Sequence, residues 1–431
     1  MLQVKNYKFL TLYFSSIGLI QSIKNLIALI KLPLINEDKL RLSLHKKVSA
    51  KFYGNPVFSY SSARASLAAF LKSIEVEQED EILISSFTCL AVPNAVINSG
   101  ATPKYYDVDP ITMNLDLNSL KKGISNRTKV IVIQHTLGVS VPINEIKLML
   151  PRKDIIILED CALSIGSVFD GKFIGTNADA SFFSLELSKT ITCGWGGILI
   201  LNNKNLEHKV RKNYDLVGDI KTLKSIRMSI QTSLSGLLYS SNFYFIGKYF
   251  ILLFFKIGFF GPSTSIREEK GDLEDDFISK LPKSLLTLAI IQIERFDEII
   301  NVHAKNSIRI RDNLDKLKYR TLGVYPKNFR SVSPRIPILV KDRASFINFF
   351  KKRGIEVGTW FDGPLSPLPT KPKFNYNKFE YPNAYLISKH IVNLPCHSKM
   401  KNYHLNLVER SLKEYALEFP DHSKINEHLN Y

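Results

Sequence analysis

Three groups of side chains in this sequence can do chemistry together. Lys189 stands in SLELSKTITCGWGG (184–197), after the apolar run SFFSL and before a glycine turn. An amine becomes a nucleophile when burial or a nearby cation lowers its pKa, and a strand end closed by a glycine turn supplies confinement. A lysine at a strand end can equally be solvated. DIIILED (154–160) is an apolar strand that ends in two carboxylates, Glu159 and Asp160. An acid at a strand tip reaches into a ligand crevice and needs a cationic partner there; either acid alone can also cap a helix or join an ion pair. Ser61 and Ser62 precede an Ala-rich amphipathic pattern in SYSSARASLAAFL (59–71). They read as N-caps, and the amides of a helix start bind phosphate. Each signal is weak by itself. A phosphate cradle, an acid at a strand tip and a confined lysine are jointly what pyridoxal phosphate requires. The lysine forms the Schiff base, and the acid keeps the pyridine nitrogen protonated so that the ring accepts electrons.

The elements that must position these groups are legible between about residues 57 and 201. Short β-rich runs, ILISSF (82–87), PKYYDVD (103–109), KVIVIQH (129–135), DIIILED, ASFFSL (180–185) and GGILIL (196–201), alternate with helical patterns at 63–74, 90–99, 116–124 and 142–150. This alternation predicts an α/β fold with a mostly parallel sheet covered on both faces. Such sheets bind ligands beyond the carboxyl ends of their strands. Farther on, the acidic GDLEDDF (271–277) reads as a linker and 284–317 as one long helix. From about 333 the chain mixes strands and helices, as a smaller α+β domain does. The expected division is an N-terminal amphipathic helical segment at 1–54, a large domain at 55–275, and an interdomain helix with a small C-terminal domain at 276–431.

In this order the motifs resemble the DegT/DnrJ/EryC1/StrS sugar aminotransferases, which have the aspartate-aminotransferase-like PLP fold type I. The resemblance runs over about 55–205 and 276–415. SARASL (62–67) stands where the family has S-G-T-A-A-L. ILISSFTC (82–89), PNAVINSGATPKYYDVD (93–109), ITMNLD, NRTKVIVIQHTLG, IILEDCA and SFFSLELSKTITCGWGG follow in family order, with GIEVGTWFDGPLSPL and VNLPCH near the end. The resemblance implies that Lys189 is the Schiff-base lysine and the proton carrier, and that Asp160 is the pyridinium partner. It makes Ser184 a phosphate-binding hydroxyl, with the backbone at Ala63, Arg64 and Ala65 holding the phosphate. Gly196 and Gly197 form the close-packed turn. A related branch that dehydrates sugars has histidine in place of the lysine, so Lys189 points to transamination.

Three positions depart from the family pattern. Cys89 stands where an aromatic residue stacks on the cofactor ring, and Leu163 where glutamine or histidine follows the aspartate by three. FISKLP (277–282) stands for a G-x-N-x-R segment that completes the phosphate site from the partner subunit; Ile278 falls at the asparagine and Lys280 keeps the charge of the arginine. Arg64 can then supply charge to the phosphate. His135, at a strand end, is either a structural histidine or a substrate contact. Trp195, in GWGG, either borders the sugar site or packs.

The net charge of +18 suits anionic ligands such as a sugar diphosphate, or an acidic membrane surface, as well as a solvated lysine-rich exterior. No nucleic-acid-binding signature is present. Cys89, Cys161, Cys193 and Cys396 form no CxxC pair, so no metal site or disulfide framework is expected, and a cytoplasmic setting fits. The N-terminal stretch through Leu26, Leu29 and Ile30 reads as an amphipathic surface or interface helix. The apolar insert at 233–262 is broken only by Lys248 and Lys256, which share one helical face. That suits a helix lying peripherally on the membrane, and a buried interdomain or dimer-contact helix pair fits as well. The resemblance implies a homodimer that moves an amino group from glutamate to a keto group of a nucleotide-activated sugar, for polysaccharide biosynthesis. A degenerate homologue serving as a membrane-associated scaffold in glycan assembly is the alternative. A third reading keeps the enzyme with a small amino acid or a lipid-linked sugar as substrate.

Overall fold

Seven strands build the central sheet: β1 (Val57–Tyr60), β2 (Glu81–Ser85), β3 (Thr102–Tyr106), β4 (Thr128–Gln134), β5 (Ile156–Asp160), β6 (Ala180–Ser184) and β7 (Gly197–Leu201). The structure is a computed structural model and describes residues 9–12, 15–238, 244–262, 264–270, 272, 276–321, 328–367 and 374–424. The strand order is β1-β7-β6-β5-β4-β2-β3. Strands β6, β5, β4, β2 and β3 pair in parallel, and β7 runs antiparallel between β6 and β1. The sheet is thus mostly parallel, as the apolar strand runs required.

Both faces are covered. Alternate residues of each strand face opposite sides. Ile82, Ile84, Val130, Val132 and Leu158 pack with the apolar residues of α3 (Ala63–Ser73), α4 (Ala91–Ser99) and α7 (Glu207–Leu216). Leu83, Ile131, Ile133 and Ile157 pack on the other side with α5 (Leu117–Gly123) and α6 (Ile143–Met149). Phe183, Ile198 and Ile200 join that side beneath α2 (Glu37–Lys51), α11 (Lys283–Glu294) and α12 (Phe296–Lys316). The expected single helix over 284–317 is these last two helices. It breaks at Arg295, whose backbone (φ −92, ψ 9) leaves the helical region and caps both pieces.

A smaller C-terminal sheet contains β8 (Arg335–Leu339) and β9 (Ile391–Pro395), paired antiparallel. Its helices are α13 (Arg343–Lys352), α14 (Pro382–His390) and α15 (Asn402–Glu418). Phe346, Phe350, Val392, Leu394, Val408 and Leu412 form its core. The N-terminal segment reaches this part as well: Leu10 exchanges backbone hydrogen bonds with Gly354 and Glu356.

The apolar insert contributes the end of α8 (Thr222–Leu238) and α9 (Tyr244–Lys256), followed by the short α10 (Ile266–Glu269). α8 is held on one side by α1 (Leu19–Ile30), and α9 folds back along α8, with Gly247 against the Leu238 backbone. Of the two lysines expected on one face, Lys256 is exposed, and the side chain of Lys248 lies outside the described residues. So does most of the expected acidic linker. Among the described residues no helix is long and apolar enough to cross a membrane.

Candidate active site

The carboxyl end of β5 carries two carboxylates that part company. Neighbours on a strand face opposite ways. Glu159 is fully buried and accepts hydrogen bonds from the amides of Gly175, Asn177 and Ala178, at 2.9–3.0 Å, and from His135 Nε2 at 2.8 Å. Burial opposes its ionisation, but these bonds outweigh burial and hold its pKa below the usual carboxylate range. Asp160 points the other way, into a cavity. It accepts one backbone hydrogen bond, from Ala162 (2.9 Å), and burial pushes its pKa up to about 6 despite Lys189 nearby.

Lys189 follows β6 in a loop closed upon itself. The Lys189 amide donates to the Glu186 carbonyl, the Leu185 amide to Gly196 and the Cys193 amide to Leu185. Gly194 has φ +89, and a Cβ there would lie 1.8 Å from the Thr232 hydroxyl oxygen of α8. Helix α8 is therefore packed directly behind the lysine turn. The Lys189 ammonium sits 4.7 Å from the centre of the Trp360 ring. Its pKa is lowered, first by burial and further by Arg335, while Glu186, Cys89 and Asp160 pull in the opposite direction.

The start of α3 lies at the same place. Ser62 caps the helix by accepting from the Ala65 amide at 3.2 Å. The Ala65 amide, one of those expected to face an anion, is engaged by this cap. Gly197 explains how the helix comes so close to the sheet, because a Cβ there would lie 2.2 Å from the Ser62 carbonyl oxygen. Ser184, at the tip of β6, is buried beside this helix start and lines the same cavity as Ala63 and Arg64. The Arg64 guanidinium, expected to lend charge to the phosphate, forms a buried ion pair with Glu268 of α10 at 3.0 Å.

The enclosed cavity measures about 90 Å³ and is bounded by Ala63, Arg64, Cys89, Asp160, Leu163, Ser184 and Lys189, with Trp360 closing it. Past Lys189 it opens into a cleft of about 460 Å³ between Glu186, Ser188, Trp195, Arg335 and Trp360. Trp195 stands between this cleft and a further cavity beside Lys224 and Arg227. Cys89 lies on both spaces, and the Thr88–Cys89 strand pairs with Leu365–Ser366, so the C-terminal part closes over it. Ile278 packs partly buried on the core, and Lys280 lies over the Tyr214 ring; neither lines these two spaces. His135 is hydrogen-bonded as its structural reading expects. Its Nε2 bonds Glu159, and its Nδ1 accepts from the Val141 amide at 3.1 Å. Both ring nitrogens are used inside the fold, and His135 also lines the cavity.

The sequence reading missed two residues of this site. Arg335 opens β8, and its guanidinium lies 4.3 Å from the centre of the Trp360 ring, which also carries Lys189. The Trp360 amide is fixed by Asn393 of β9 at 2.9 Å. Trp360 lay within a quoted family motif and could have been found there. A single arginine opening a strand gives no comparable signal.

A sequence model of the DegT/DnrJ/EryC1/StrS aminotransferase family matches residues 37–227 and 278–413. The chain belongs to this family. It is 26% identical over 364 residues to an uncharacterized protein of Methanocaldococcus jannaschii, covering 84% of this chain and 86% of that one. It is 33% identical over 146 residues to GDP-perosamine synthase of Escherichia coli O157:H7, a match covering 34% of this chain and 40% of that enzyme. Its fold matches the PLP form of a candidate sugar aminotransferase of Streptococcus pneumoniae, with a TM-score of 0.71, 17% identity and coverage of 95% and 99%. A member of this family is a pyridoxal-phosphate-dependent aminotransferase that acts on a sugar. The residues present fit that cofactor. Asp160 is a buried carboxylate with no salt-bridge partner among the described residues, and a protonated pyridine nitrogen would complete it. Glycine at 197 leaves room for the start of α3, and Ser184 lines the cavity beside that helix start.

Proposed function

We propose that this chain moves an amino group from glutamate to a keto group of a nucleotide-activated sugar that is destined for cell-surface polysaccharide. It works as a homodimer in the cytoplasm, beside the membrane. The observation that carries the reading is the placement of Lys189 and Asp160 on one cavity, with the start of α3 at its other end. The similarity to GDP-perosamine synthase supports a nucleotide-linked sugar. The retained pair of Lys189 and Asp160 favours an enzyme over a scaffold, which has no use for either.

When bound, the cofactor supplies an electron sink. Asp160 would hold the proton on the pyridine nitrogen. Ser184 and the helix start at Ala63 and Arg64 would hold the phosphate, and Leu163 and Cys89 would contact the ring through apolar surface. Lys189 would anchor the cofactor, and its amine would carry the proton. Burial and Arg335 favour the neutral amine, the form that accepts a proton. Arg335, buried on the cleft side of Trp360, would take the carboxylate of the amino donor through paired N–H groups. Trp195 would border the sugar.

The test is an absorption spectrum of the purified protein with pyridoxal phosphate, beside Lys189→Ala. A visible band that bleaches with glutamate, returns with a nucleotide-linked keto sugar and is missing in the variant is expected. A folded protein with no such band sinks the enzyme reading. Bleaching without recovery on any nucleotide sugar sinks the substrate class alone.

A further inference from the structure

Three parts of the chain fall outside the family match, residues 1–36, 228–277 and 414–431. The first two pack on each other. The Asn25 side-chain amide of α1 donates to the Ser229 and Ser233 hydroxyls of α8 at 2.8 and 2.9 Å. Ser22 of α1 is buried where Gly236 of α8 lets it approach. The contact between the additions is thus made by polar and small residues.

This turns α1 inside out. A surface helix normally buries its apolar stripe. Here Leu19, Ile20, Ile23, Ile27 and Ile30, which share one face, are exposed, Ile30 by 82%. Lys24 and Lys31 border that face and are exposed. α9 also exposes apolar side chains: Tyr249, Phe250, Leu252, Leu253 and Phe255 are exposed, Tyr249 by 66%. Neither helix contains an acidic residue. At 12 and 13 residues they extend roughly 18 and 20 Å. The hydrocarbon core of a bilayer is about 30 Å thick, so neither can span it.

We infer that the two additions form a docking module for an acidic lipid bilayer, with the outer faces of α1 and α9 lying in the interface and Lys24, Lys31 and Lys256 at the headgroups. This deepens the reading of an enzyme that works beside the membrane. Charge decides between lipid and a second copy of the chain. A two-fold self-contact would set an acid-free, lysine-bordered surface against itself, whereas anionic headgroups complement it, as they do the +18 chain. Apolar side chains with flanking lysines on helices too short to span are the composition of interfacial anchors.

Vesicle flotation of the full-length protein tests this, with phosphatidylcholine alone and with added phosphatidylglycerol. The protein is expected to float with the anionic vesicles, less so in high salt, and to stay behind with the neutral ones. Ile27→Glu combined with Leu252→Glu should weaken flotation roughly tenfold or more, with unchanged circular dichroism. Absence of wild-type flotation overturns the inference. So does a variant that floats equally well, or one whose only change is a smaller assembly in sedimentation, which would assign the surface to a second copy. The visible absorbance of the bound cofactor, measured on the same samples, reports the aminotransferase reading separately. Flotation can fail with the absorbance band intact, and the reverse.

Discussion

Asp160 and Glu159 are adjacent in the chain and opposite in fate. Glu159 is satisfied four times over and holds the 175–178 loop and His135 in place. Asp160 keeps its charge against burial, with a single backbone donor. In the cofactor-free protein the folded state binds the Asp160 proton more tightly than the unfolded chain, whose aspartates titrate near about 3.9. The penalty is therefore fully present above the folded pKa of about 6 and fades as pH falls towards the unfolded value. Asp160→Asn should then stabilise the cofactor-free protein at pH 7 by about 2–3 kcal/mol, with the gain vanishing near pH 4. Paired thermal melts across this pH range check it, and no gain at neutral pH refutes it. The same variant should lose transamination. The sequence singled out both acids, the family resemblance chose Asp160, and strand alternation gives the physical reason that the two face opposite ways. His135 was legible as a strand end, and its engagement on both nitrogens depends on Val141 and Glu159, which the fold brings together.

At the scale of elements, the decisive contact is between a helix start and a strand start. α3 begins against β7 because Gly197 presents no side chain to the Ser62 carbonyl. Gly197→Ala should push the helix start away from the cavity. An expected cost of about 1–3 kcal/mol in stability accompanies weaker cofactor binding. A titration followed by absorbance checks this, and unchanged affinity would remove the helix start from the phosphate end. The cap at Ser62 was readable because Ser before an Ala-rich run has one common meaning. The orientation of α1 was not. Periodicity marks an amphipathic helix without saying which face turns inward, and α8 offers serines and a glycine that suit the polar one. Nor did the pattern over 284–317 show its break, since Arg295 carries no helix-stopping signal of the kind glycine or proline gives.

For the molecule as a whole, the site is assembled from distant stretches: Asp160 and Lys189 from the central sheet, Arg335 and Trp360 from the C-terminal part. Arg335→Gln should raise KM for glutamate by roughly 10- to 100-fold, as expected for loss of a charge-assisted carboxylate contact. The cofactor's absorption and KM for the sugar should stay near wild type. An unchanged glutamate KM would leave Arg335 a packing role beside Trp360. The mostly parallel sheet was legible because its strands are continuous apolar runs between helices. The contact between the C-terminal part and the lysine was not, because it joins Lys189 to Trp360, 171 positions away, and their types carry no shared pattern.

Thr232 behind Gly194 and Glu268 beside Arg64 both belong to the segment outside the family match. A shortened protein engineered without residues 228–277, to ease handling of a greasy surface, would lose the backing of its lysine turn. It would also remove the Glu268 carboxylate from a nearly buried guanidinium. The graft has become masonry: it cannot be pruned without opening the wall of the site.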